Sequence, residues 1–532
     1  MRSSILRIAI AGAIIAALFA AGNYVFKQYY SPLTLFVSAE GSAHGDGSSP
    51  KAALSSLSDV PREKIRPGTK IVLLGQGIDG MLNLSELKGT KEDPIVVTSG
   101  EDERASITVA PGKAGIAIQD SSHISISNID IKANPTNPTD SEGIWIKAER
   151  TDVPNEDIRI DDVRVSKLKH GILVSGDGEA GFTDVTIRNS VLSDNRMQGI
   201  LFHNAVPDSP HFSHKNVLID GVQVTGTTGD ATAEANSGSG IVLGNVDGGV
   251  IQRSLAENNG AYSSATEGPI GMWAYRSNNI AIRDNISRDN KTKEADGGGF
   301  GLDLGVTNSI LERNVSKDNM GPGYLIFAND GQKSSRNIVR FNASINDTRW
   351  GNYHGQISIR GGLNDGGPLS EINDLLVTNN SIISSPSTSG QSISIAADVS
   401  NARIFRNYFE MTAPGPVVKL SELNNPTGAR FCGNAYFTGD STNAVESIGT
   451  SFTTFPEWWS ASPTDTGSFE SIAPAKGASA KVTDLHFDPG AQALTQNSPA
   501  AVCGDEFDAT ATDLAGQKVG DQPFVGAVRP SV

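Results

Sequence analysis

The feature that most limits the fold is a glycine-led apolar segment that returns down the middle of the chain. It starts at Gly143 (GIWIKA), Gly171 (GILVSG), Gly199 (GILFHN), Gly240 (GIVLGN), Gly271 (GMWAYR), Gly299 (GFGLDL), Gly323 (GYLIFA) and Gly355 (GQISIR), at intervals of 28, 28, 41, 31, 28, 24 and 32 residues. A period near thirty that varies by insertion fits a coil of three short strands whose bends absorb the extra residues. One such coil cannot bury its apolar side alone, so the copies must stack on a shared core. The stretch from Asp296 to Phe327 reads as one full turn. The fold class expected is therefore all-β, a parallel β-helix or solenoid with a cap at its N-terminal end and a lid at its C-terminal end.

A second recurrence keeps the same register. Segments end in Asn285, Asn314, Asn342, Asn380 and Asn407. Asparagine tolerates the left-handed backbone of a bend, and its amide can bond the equivalent residue one coil away, so a ladder is expected. Parallel pairing between coils also accounts for the scarcity of hairpin turns. High glycine and few aromatics agree with many short strands, and the net charge of −16 argues against a nucleic-acid partner, which would need a basic surface.

The ends of the chain differ from the middle. Residues 1–30 carry Arg2 and Arg7 before an uncharged apolar run, so a signal peptide or an N-terminal membrane anchor through residues 5–26 is expected, with a secreted or periplasmic location. Residues 31–110 read as an N-terminal cap with the first strands, including a short helix around Lys51 to Val60. Residues 111–440 read as the coils and residues 441–532 as the lid, with Trp458 and Trp459 packing on the last coil. The only two cysteines, Cys432 and Cys503, are expected to form one disulfide pinning lid to stack. A stack closed at both ends is expected to act as a monomer.

Alternation within the glycine-led strands turns Ile144, Ile146, Ile200, Phe202, Met272, Ala274, Phe300 and Leu302 inward. Their neighbours then face out, and coils about 4.8 Å apart make Tyr275 and Asp303 adjacent, with His203 and Arg360 two to three coils to either side. This gives one strand face with aromatics for sugar rings and an arginine for a carboxylate. The expected partner is an acidic polysaccharide. Asp303, Tyr275, His203 and Arg360 are the catalytic candidates, and Trp273, Trp145 and Lys147 the substrate-binding ones. Asp296 and Asp303 form the sharpest acidic pair, with Glu294 and Asp318 nearby, suited to a Ca²⁺ ion or to acid catalysis. A lyase would need a strong base beside a neutralised carboxylate. A hydrolase would need two carboxylates across the bond, for which Asp296 with Asp303, or Asp303 with Glu267, would serve. A non-catalytic β-helix that binds or organises cell-surface polysaccharide would use the same face.

The segment FVSAEGS followed by PGTKIVLLGQG is similar to the opening of secreted right-handed parallel β-helix proteins of the pectate-lyase-like superfamily, and the SPA and DxxG segments of the tail resemble that superfamily's final wrap. ADGGGF followed by NVSKDNMGPGYLIF resembles the tandem ADGF and NNxDDGxDL coils of its calcium-dependent polysaccharide lyases. The resemblance implies a right-handed coil, polysaccharide as substrate and Asp296 as a calcium ligand. The lysine that follows ADGF in that family is absent here, and its paired aspartates are replaced around Met320-Gly321-Pro322.

Overall fold

The structure is a computed structural model that describes residues 32–461 apart from 135–139, 207–208, 330, 351–353, 362–369, 386–389, 413, 422–427 and 438–443. It also describes the backbone of four short strands between 465 and 488, and residues 503, 508–520 and 524–528. The expected export segment lies outside the described residues.

The chain winds as a right-handed β-solenoid of about 12 turns. The glycine-led strands form one face, a sheet of 14 strands among the described residues, that runs from Leu82–Asn83 through Ile270–Tyr275 and Gly298–Asp303 to Thr450–Phe452. Every pair in that sheet is parallel except the last, Val445–Ser447 with Thr450–Phe452. Shorter strands such as Ile310–Glu312 and Val315–Lys317 build the remaining sides. Parallel pairing reaches back to Thr34–Ser42, which lies on Lys70–Leu74, so stacking is already under way well before residue 111. No helix spans Lys51 to Val60. Ser49 and Ser56 each cap a three-residue 3-10 turn there, and the backbone leaves the helical region at Ala53 and is extended at Ser56, which keeps the two turns separate.

The core follows the alternation expected. Ile144, Ile146, Ile200, Phe202, Met272, Ala274, Phe300 and Leu302 are all fully buried, in one continuous cluster that runs the length of the stack. The glycines that open these strands sit where successive coils come closest. A Cβ on Gly271 or Gly299 would lie 2.9 Å from the carbonyl oxygen of the glycine one coil on. Space, rather than an unusual backbone angle, excludes a side chain there.

The asparagine ladder is present. Asn285 donates its amide to Asn314 at 3.0 Å, Asn314 to Asn342 at 3.1 Å, Asn342 to Asn380 at 3.0 Å and Asn380 to Asn407 at 2.9 Å, and the run continues to Asn434. The left-handed residue of each bend is the one before it: Asp284, Arg313, Phe341, Asn379 and Arg406. The ladder residue keeps an ordinary backbone, and its side chain accepts the backbone N–H of the coil before it. A second ladder, Asn259 to Asn290 to Asn319, runs five residues further along each turn and ends on the buried Asp347.

The tail departs from the expected wrap across the end. Trp458 is buried in the helix Phe455–Ala461, edge-on to Phe431, and does close the last coil. The described residues 503, 508–520 and 524–528 instead lie along the flank. Cys503 is disulfide-bonded to Cys432, Phe524 stacks on Phe341, Asp508 pairs with Arg340, and Ala527 donates to Ser381. Outward Phe341, Leu376 and Phe405 make that flank apolar, and the strap covers it.

Removing a ladder rung strands its neighbour's donors in the dry core. Asn342→Ala should lower stability by at least about 2 kcal/mol, because the amide and backbone N–H of Asn314 both lose their acceptor. Asn308→Ala, at an exposed bend, should cost far less in the same denaturation series.

Candidate active site

Parallel pairing converts sequence period into columns of side chains. On the outer face one column reads Lys147, Ser175, His203, Gly244, Tyr275, Asp303, Phe327, Arg360. Tyr275 and Asp303 are paired neighbours on adjacent strands, as expected. His203 stands three coils before Asp303 and Arg360 two coils beyond it.

The strand face expected to meet sugar rings is enclosed at its centre. Bends that lead into the strands stack as well: Gly297 donates to Pro269, Gly321 to Gly297 and Thr348 to Gly321. They build a wall along the face and turn its centre into a cavity of about 330 Å³. Its lining includes Glu267, Trp273, Asp296, Asp303, Phe327, His354 and Arg360, together with the amides Asn236 and Asn329. Trp273 therefore lies 7% exposed rather than open to a sugar ring. Its indole N–H donates to Ser239 at 3.1 Å, and it packs with Val242, Ile270 and Leu325.

The structure gathers Asp296, Asp303, Arg360 and Trp273 from the sequence reading and separates the rest. The Tyr275 ring folds back over Gly244, in the space a side chain there would fill, and leans on Trp273 at 5.3 Å between ring centres. Burial pushes its hydroxyl up to about 12. His203 bonds Ser175 at 2.8 Å, and burial holds it below its usual value. Lys147 pairs with Glu149 and lies over Trp145, five coils from Asp303. Neither Tyr275 nor His203 is among the residues lining the cavity.

His354 is what the sequence reading missed. It comes from the bend before Gly355, where no periodicity marks it. Its Nε2 lies 3.5 Å from an Asp296 oxygen, and its Nδ1 meets the Ser358 hydroxyl at 3.0 Å. Burial, reinforced by the Arg360 charge, lowers its proton affinity to about 3, so it is neutral at ordinary pH.

The two aspartates differ. Burial raises Asp296 to about 6, with the Arg360 charge pulling the other way, so it is mostly ionised at neutral pH. Asp303 is driven well above the carboxylate range, by burial first and by the charges of Asp296 and Glu267 after it. Its Oδ1 is buried with no hydrogen-bond partner among the described residues. One carboxyl that keeps its proton and one that gives it up is the arrangement acid–base chemistry uses. Among the described residues no three acidic, histidine or cysteine groups gather as a cation cage, and a cationic Arg360 stands beside Asp296. Calcium at Asp296 and Asp303 is a proposal for titration.

Residues 114–343 match the family model described as right handed beta helix region. No curated protein matches. Among solved structures the chain is similar to the GH136 lacto-N-biosidase of Eubacterium ramulus, at 16% identity and a TM-score of 0.46, over 66% of this chain and 64% of that one. The match thus spans less than two thirds of that protein. It is also similar to an alginate lyase of a Paenibacillus species, at 16% identity and TM-score 0.40 over 61% and 98%, and to the A-module of a mannuronan C-5 epimerase of Azotobacter vinelandii, at 11% and 0.41 over 76% and 91%.

A buried carboxyl held protonated costs stability as pH rises. Because the folded-state value of Asp303 lies above its unfolded one, its stabilising proton is fully present below about pH 4 and is progressively lost toward its raised folded value. Asp303→Asn should therefore melt near the wild type in acid and above it at neutral pH, with the gap opening as pH climbs. A variant that melts lower at neutral pH would show that the carboxyl is not held protonated.

Proposed function

We propose that this right-handed β-helix protein is an exported enzyme that cleaves an acidic polysaccharide at the Asp296–Asp303–Arg360 cavity. The observation that carries the reading is the buried, unpartnered Oδ1 of Asp303 in a cavity shared with a second carboxyl of lower proton affinity. The Cys432–Cys503 bond supports an oxidising compartment, and with it export.

In this reading a sugar carboxylate of the substrate sits against the Arg360 guanidinium, and the half-buried Phe327 supplies an apolar wall for a ring. Asp303 gives its proton to the glycosidic oxygen as the bond to the anomeric carbon breaks. Asp296, ionised, takes a proton from the water that adds to that carbon, and after the product leaves that proton returns through solvent to Asp303, which resets both carboxyls. His354, neutral and bonded to Ser358, stands beside Asp296 at 3.5 Å and forms part of the cavity lining. The walls that bury Trp273 keep bulk water from this exchange.

The purified protein should be incubated with uronate-containing and neutral polysaccharides, with and without a calcium chelator. New reducing ends without ultraviolet-absorbing unsaturated ends are expected from the uronate substrates. Unsaturated ends would make it a lyase, and retention without products a binder. The rate should rise as pH passes about 6, where Asp296 ionises, and fall again at higher pH as Asp303 loses its proton. Asp303→Asn should cost roughly 10² to 10⁴ in rate.

A further inference from the structure

A second cavity, of about 250 Å³, lies at the other end of the same strands. It is lined by Ser209, His211, Phe212, Asn245, Arg276 and Gln332, with Pro210 and Gly305 completing it. Asn245 follows Gly244, Arg276 follows Tyr275, and Gly305 follows the Asp303-Leu304 pair, so its floor is the turn that ends the site's own strands. Leu304 lines the first cavity and Gly305 the second. Successive residues just past Asp303 thus line one cavity each. The floor spans four coils, roughly 14 Å at the strand spacing.

Its chemistry differs from that of the rest of the surface. The chain carries 59 acidic against 43 basic residues, yet no acidic side chain lines this cavity among the described residues. Arg276 stands in it, and its charge reaches both Tyr275 and Asp303. Gln332 lies over Gly305, where a side chain would collide with its amide oxygen. Phe212 offers an exposed aromatic face, and His211 is held by Glu179 at 3.1 Å.

We infer that this cavity is a second anionic-sugar subsite, so that a substrate chain crosses Asp303 with one acidic sugar against Arg360 and another against Arg276. The inference rests on the glycan-cleaving reading of the first cavity and adds a requirement to it. The substrate must carry repeated acid groups on both sides of the bond, and either carboxylates or sulfates would satisfy the two arginines.

The test is a length series of oligouronides, from disaccharide to hexasaccharide, with a sulfated oligosaccharide arm and a neutral one, on wild type, Arg276→Ala and Arg276→Lys. Losing a charge-assisted contact should lower kcat/KM of Arg276→Ala about tenfold on the hexasaccharide relative to its own value on the shortest substrate cleaved. Arg276→Lys should recover part of that loss, and melting curves confirm that all three are folded. A loss equal at every length, or none, overturns the second subsite while leaving the first cavity standing. Wild-type protein that neither binds nor cleaves any acidic oligosaccharide overturns both. Preference between the uronate and sulfated arms identifies the anion.

Discussion

Everything in this protein depends on parallel pairing between coils in strict register. Because each strand bonds to the strand one turn away, residues some thirty positions apart in sequence become neighbours at the strand spacing. The same pairing aligns the core residues Met272 and Phe300, the ladder residues Asn314 and Asn342, and the outward pair Tyr275 and Asp303. A slip of one residue in any rung would turn that coil's apolar set outward. The ladders resist such slips, since a buried amide such as that of Asn314 donates both to the asparagine one coil along, Asn342, and to a backbone carbonyl of the coil before it, that of Ile282.

That constraint decides what the sequence reveals. Alternation of Ile144-Trp145-Ile146-Lys147 or Phe300-Gly301-Leu302-Asp303 states which side of the strand faces the core, so the fold, the core and the outward column are readable from the residues. The first asparagine ladder is readable for the same reason. The second leaves the same kind of mark, because Asn290 and Asn319 stand five residues after Asn285 and Asn314.

Side-chain direction beyond Cβ and the course of the bends are not periodic, and the site depends on both. Gly244 gives the Tyr275 ring room to fold away from Asp303, a choice no alternation dictates. The walls that enclose Trp273 come from insertions of different length, and His354 arrives on one of them. An outward position is thus not the same as an exposed one. The tail shows the same limit, since the apolar flank it covers is made by outward residues such as Phe341 and Phe405.

Enclosure also sets the chemistry. An open trough would leave both aspartates hydrated and ionised, whereas the bends withdraw water and make the second negative charge costly, so one proton stays on Asp303 while Arg360 steadies the charge on Asp296. The most direct measurement is a difference infrared spectrum at neutral pH between wild type and Asp303→Asn. A protonated carboxyl C=O band present in the wild type and missing in the variant is the result predicted. A difference spectrum that contains only carboxylate bands would contradict it.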